Sequence, residues 1–141
     1  MMKKILSLCL VLVLTLIVAA PASAAMPDVM QPYYINTSEA SIGLSISDTG
    51  MATVDMLCTG YSNVTRIEAT LYIERKVGSQ WVRVDNGTMS DTWNCVSNSR
   101  FFFETIRYQM PAKGEYKATV TFAVYATRTE VLTFSTTRTY A

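Results

Sequence analysis

Glu68 and Glu74 on one alternating stretch, with Asp85, Asp91 and Glu104 further along, are the residues from which an active site would have to be assembled in this 141-residue chain. The chain contains no histidine. That removes Ser-His-Asp and Cys-His catalysis, histidine-ligated zinc and any imidazole acid or base. No Gly-rich phosphate loop and no Ser-x-x-Lys motif is present. A carboxylate pair of the glycosidase kind is the only catalytic chemistry left. The sequence sets no two carboxylates at a defined separation, and wet strand faces carry such residues routinely. The oxygen ligands of Asp85, Asn86 and Asp91 invite a calcium site, but their spacing lacks the EF-hand pattern and Asn86-Gly87 already has the chemistry of a turn. The expectation is a non-enzyme without cofactor or metal.

Aromatic residues are the stronger signal. Tyr72 falls on the polar side of its stretch, Trp81 and Trp93 flank the Asn86-Gly87 turn, and Phe101-Phe102-Phe103 must turn at least one ring to the wetter side. Exposed rings stack on sugars or anchor protein partners. Their structural alternative is cross-strand pairing within a sheet. Tyr72, Trp81 and Trp93 are therefore the candidate surface-binding aromatics. The expected partner classes are cell-wall carbohydrate and a secreted or surface protein.

The start of the chain sets the compartment. Lys3 and Lys4, an apolar run from Ile5 to Ala20 and the small-x-small exit Ala22-Ser23-Ala24 are the three parts of a secretory signal peptide. A spanning helix wants about 20 apolar residues, more than this run offers before Pro21. Residues 1–24 thus read as a signal peptide helix cleaved near Ala24, and the remaining chain as extracellular. Cleavage removes Cys9, Lys3 and Lys4, leaving ten basic against eleven acidic residues. That balance gives no reason to expect nucleic acid or, after cleavage, a membrane as partner.

Two cysteines remain, Cys58 and Cys95, in an oxidising setting. A disulfide between them would close a loop of about 37 residues, worth about 4 kcal/mol in the chain-entropy model. Two buried thiols are the alternative.

From residue 40 onward the hydrophobic period is two, the mark of half-buried strands. Ile67, Ala69, Leu71 and Ile73 alternate with polar neighbours, as do Tyr116, Ala118, Val120, Phe122 and Val124. These two stretches are the expected central strands. Asp48-Thr49-Gly50 predicts a turn between Ser41–Ser47 and Met51–Thr59. Asn86-Gly87 predicts a type I′ hairpin joining Gln80–Asp85 to Thr88–Cys95. Phe101–Tyr108 and Glu130–Tyr140 complete about eight strands, the last of them a candidate edge open to another chain. Residues 25–39, with Pro27 and Pro32, read as an irregular leader. Residues 40–141 read as a single antiparallel β-sandwich, the all-β class. Asn36, Asn63 and Asn86 each begin a glycosylation triplet, relevant only in a eukaryotic secretory path.

Gly114-Glu115-Tyr116 resembles the tyrosine corner of immunoglobulin-like sandwiches, in which the phenol bonds back to nearby backbone. Gly114 and Tyr116 are therefore assigned structural roles. A true immunoglobulin domain is not implied, because Ala118 stands where that family has its second cysteine and Trp81 lies too far from Cys58.

Tyr34-Ile35-Asn36, Leu44-x-Ile46, Gly50-x-Ala52, Gly60, Ile67 with Leu71, Trp81 with Val84, Gly114-x-Tyr116, Glu130, Ser135 and Tyr140 together resemble a group of small uncharacterised secreted proteins of Gram-positive, clostridia-type bacteria. The resemblance implies a secreted bacterial domain of β-sandwich character and brings no activity or site residue with it. A secreted, non-catalytic binding module at the bacterial surface is the expected function. A secreted effector, either a bacteriocin-like toxin or an inhibitor of another secreted protein, is the alternative.

Overall fold

The computed structural model describes residues Tyr33–Ala141; the expected signal peptide and the leader up to Pro32 lie outside them. Eight strands follow in order: β1 (Thr37–Ile46), β2 (Met51–Gly60), β3 (Arg66–Val77), β4 (Gln80–Arg83), β5 (Trp93–Ser97), β6 (Phe101–Gln109), β7 (Gly114–Tyr125) and β8 (Thr129–Tyr140). No helix occurs among the described residues. Every pairing is antiparallel. One sheet has the order β1-β2-β6, and the second has β4-β3-β7-β8 with β5 also paired to β3.

The alternation in the sequence builds the core directly. Ile67, Ala69, Leu71 and Ile73 of β3 and Tyr116, Ala118, Val120, Phe122 and Val124 of β7 are all buried, facing Val54, Met56 and Cys58 of β2 across the sandwich. Phe122 meets Phe102 of β6 edge-on, with ring centroids 5.7 Å apart, and so ties the two sheets together. The expected central strands are therefore the central strands observed. β1 starts at Thr37, earlier than the boundary at residue 40: Thr37 pairs with Gly60 of β2, and its hydroxyl is held by Glu130 of β8.

Two tight turns have clear local causes. Gly50 closes the β1–β2 turn at φ 83°, and a side chain there would meet Tyr140 and Gln109 at 2.8 Å. Gly78, at φ 63°, sits with Ser79 in the two-residue link between β3 and β4. The expected Asn86-Gly87 hairpin does not form. Only Gly87 of that pair has positive φ, whereas a type I′ turn needs it at both central residues. β4 and β5 pair not with each other but in tandem along one edge of β3, at Glu74–Val77 and Ile67–Leu71 respectively. The chain between them is a loop of side-chain turns: Asp85 Oδ1 accepts from Gly87 N–H at 2.7 Å and Asn86 Oδ1 from Thr88 N–H at 3.0 Å.

The corner resemblance holds in geometry. Tyr116 is fully buried, and its hydroxyl donates to the carbonyl of Ala112, four residues upstream. Gly114, at φ 149°, adopts a conformation few side chains tolerate and lies against the guanidinium of Arg75.

The expected disulfide is not present, and both thiols are free. Cys58 and Cys95 both point toward the core, since Cys95 pairs with buried Ala69. They belong to opposite sheets, however, and β5 stands against β6 rather than β2. The Cys58 side chain lies beside Thr37, on the β1 side, whereas Cys95 lies near Glu104 of β6.

Candidate functional site

The second sheet turns Tyr72, Glu74 and Lys76 of β3, Trp81 and Arg83 of β4, and Lys117 of β7 onto one outer face, as their register requires. Tyr72 and Trp81 thus share a surface. Neither ring is a bare platform. The Arg83 guanidinium lies 3.5 Å from the centroid of Tyr72, and Lys117 and Lys76 lie 4.5 and 5.8 Å from that of Trp81. Each ammonium is also paired with a carboxylate, Lys117 with Glu74 at 2.8 Å and Lys76 with Glu115 at 3.1 Å. Cations seated over the rings contribute about 0.5–1 kcal/mol each at such exposed sites. They also occupy the faces a sugar would stack on.

Trp93 is placed elsewhere. It pairs with buried Leu71 and so faces inward, where it packs against the core and meets Tyr108 edge-on at 5.3 Å. It takes no part in the outer surface.

Glu68 and Glu74, the pair the sequence offered on one strand, do not converge. Glu68 and Glu74 lie on the same face of β3 but six residues apart, about 20 Å along a strand, whereas paired glycosidase carboxylates stand roughly 5–10 Å apart. Glu68 accepts hydrogen bonds from Arg66 and from the Tyr125 hydroxyl, a contact that pushes the Tyr125 phenol above its ordinary value. The Asp85–Asp91 loop spends its oxygens on its own backbone, Asp91 Oδ1 accepting from Asn86 N–H. Among the described residues no group of three or more acidic, cysteine or histidine side chains is arranged to hold a metal. Asn36 is buried, and its amide donates to the carbonyls of Val124 and Arg128 at 3.3 and 2.6 Å, so its triplet is closed to modification in the folded chain.

The outer face of the three-stranded sheet carries what the candidate residues missed. Phe102 is buried, so period two sends both Phe101 and Phe103 outward, 53% and 65% exposed. Leu57 stands beside Phe103 in register. The signal was visible in the Phe-Phe-Phe run; which rings faced out depended on the parity of Phe102.

A cleft of about 250 Å³ opens where β3 and β4 meet the end of β6, walled by Val77, Val82, Val84 and Pro111 with Arg75 and Tyr108. The Arg75 guanidinium is tied to the Lys113 carbonyl at 2.7 Å, and the Tyr108 hydroxyl donates to the Asp85 carbonyl. The Tyr108 hydroxyl is thus engaged in holding a loop, whereas Arg75 also keeps a buried Nε that has no hydrogen-bond partner among the described residues. No protein-family model and no curated protein matches this chain.

Proposed function

We propose that this chain is a secreted, non-catalytic interaction module that binds a protein partner through the outer face of its three-stranded sheet. The observation that carries the reading is the pair of exposed rings, Phe101 and Phe103, beside Leu57. Adjacent exposed apolar rings are characteristic of contact surfaces. A protein partner is favoured over carbohydrate because Tyr72 and Trp81, the rings best placed for sugar stacking, carry cations, as does Phe101 with the Arg100 guanidinium 4.1 Å from its centroid, which leaves Phe103 as the ring with no cation over it among the described residues. Secretion rests on the charged, apolar and small-residue pattern of residues 3–24, and a bacterial-surface setting on the resemblance to small secreted clostridia-type proteins.

The test pairs a glycan array with pull-downs from the producer's wall material and culture supernatant. The wild-type chain and Trp81→Ala should retain a protein that Phe101→Lys/Phe103→Lys loses, with the glycan array silent. Sugar binding that depends on Trp81 would refute the assignment of the site. Growth inhibition of neighbouring strains by the purified chain would instead favour the effector reading.

A further inference from the structure

β6 is an edge strand, and its free side follows from the ladder. Gly60 N–H donates to the Arg100 carbonyl at 2.7 Å and Met110 N–H to the Gly50 carbonyl at 2.9 Å, which sets the even-numbered residues of this segment as those whose peptide groups face β2. The N–H and C=O groups of Phe103, Thr105, Arg107 and Gln109 therefore point away from the sheet. Among the described residues they have no partner. The same residues carry their side chains on the outer face.

The protection of this edge is limited to the charges of Glu104 and Arg107. Its nine residues contain no proline, no lysine and no bulge, the usual protections of a free edge. β8, the edge expected from sequence, is different: β1 lies against it, held by Arg138 Nε donating to the Leu44 carbonyl at 3.1 Å and by Glu130.

We propose that β6 pairs with β6 of a second copy of this chain, antiparallel about Thr105, joining two three-stranded sheets into one continuous sheet. The proposal rests on the reading of the Phe103 face as the contact surface and names its partner. The two-fold axis restricts the register. An axis through Glu104 sets that carboxylate against its own copy, and an axis through Arg107 opposes two guanidinium groups; like charges directly opposite destabilise a strand pair. An axis through Ile106 leaves Arg107 opposite Thr105 and gains no charge or ring contact.

With the axis at Thr105, Phe103 faces Arg107 of the second copy, and the symmetry makes that contact twice. Arg107 is exposed and forms no ion pair among the described residues, so its guanidinium is available to lie over the ring. Glu104 then faces Ile106 rather than itself. Strand, side chains and charge are thus self-complementary in the register about Thr105.

The test is sedimentation of the full chain, purified in the form its host delivers, at about 100 μM, where micromolar association is visible. The wild type is expected to sediment as a dimer. Phe103→Lys sets two lysines against two arginines and weakens association on the order of tenfold or more. Phe103→Lys/Arg107→Glu restores it through two new ion pairs, now sensitive to salt. Both positions are exposed, and far-UV circular dichroism is the check that the variants fold. Thr105→Cys provides an independent reading, because hydrogen-bonded antiparallel partners stand about 5.5 Å apart, within disulfide range, and should give a reducible covalent dimer. A monomeric wild type, a folded double variant that stays monomeric, or a Thr105→Cys chain that does not cross-link overturns the proposal. If the wild type is monomeric while Phe101→Lys/Phe103→Lys still abolishes partner capture, self-pairing is lost and the interaction reading stands.

Discussion

The backbone N–H of Asn36 donates to the carboxylate of Glu130 at 3.0 Å, joining residues 94 apart in sequence. The same carboxylate accepts from Ile35 N–H at 2.7 Å and from the Thr37 hydroxyl at 2.8 Å. One side chain at the start of β8 thus satisfies three donors at the entry to β1. It also closes the sandwich along the side where β1 and β8 meet. Hydrogen bonds to charged groups contribute roughly 1.5–3 kcal/mol, and donors left without acceptors in a buried setting cost more than the bond itself. Glu130→Gln keeps the shape but replaces one acceptor oxygen with a donor. It should lower stability by about 2 kcal/mol, read as a fall in the urea midpoint with an unchanged slope. An unchanged midpoint would show that the clamp contributes nothing net.

Tyr116 makes a different kind of tie. Its ring fills the core and its hydroxyl reaches the Ala112 carbonyl, holding the β6–β7 connection against the first residues of β7. Tyr116→Phe preserves the ring and removes the tie, at a cost of about 1 kcal/mol. Tyr116→Ala also empties the space of a large aromatic and should cost about 4 kcal/mol. Thermal unfolding of the two variants separates the terms: a small fall in Tm for the first and a large one for the second. Equal falls would place the whole contribution in the hydroxyl.

What was legible in the sequence follows from how local each cause is. β3 and β7 have one dry and one wet face, so alternation alone identified them. Tyr116 was readable because its partner lies four residues away. The Asp48-Thr49-Gly50 turn was readable because Gly50 needs positive φ. The Asn86-Gly87 hairpin failed for the converse reason: the dipeptide reports local backbone tolerance, whereas the choice of β3 as partner for both β4 and β5 is made by core burial across the sheet. Trp93 followed the same logic, its direction set by pairing with Leu71. The Cys58–Cys95 bridge failed because spacing in a chain says nothing of which strands oppose each other. Glu130 stood in the sequence only as a landmark of the resemblance, and its role was hidden because its donors come from the far end of the domain.

The two tryptophans offer a direct comparison of inward and outward placement. Trp93 lies against the core, whereas Trp81 lies on a wet face between two lysines. Trp93→Ala should cost about 3 kcal/mol, the range for removing a large packed ring. Trp81→Ala should cost about 1 kcal/mol, the worth of its cation contacts with some lost packing. Fluorescence gives a second reading, since the chain lacking Trp81 retains the more blue-shifted emitter. A larger loss from Trp81→Ala would reverse the assignment of the two faces.

Cys58 supplies the pH dependence. Burial pushes its thiol from the ordinary 9.0 up to about 11, with the negative charge of Glu130 adding to the rise and the Thr37 hydrogen bond opposing it. The folded chain therefore holds this proton after the unfolded chain has released it. Stability from this group is complete below about pH 9, falls as the pH rises, and is fully lost above about 11. The loss across that window is on the order of 2 kcal/mol. Unfolding midpoints measured from pH 8 to 11 should decline for the wild type and decline less for Cys58→Ala, whose baseline is lower because a small cavity replaces the sulfur. Alkylation of the native chain gives the kinetic counterpart: Cys95, raised by burial and by Glu104 but only half-buried, should react well before Cys58. Peptide mass mapping that finds Cys58 labelled first, or an alkaline decline identical in Cys58→Ala, would show that the buried thiol is not the group responsible.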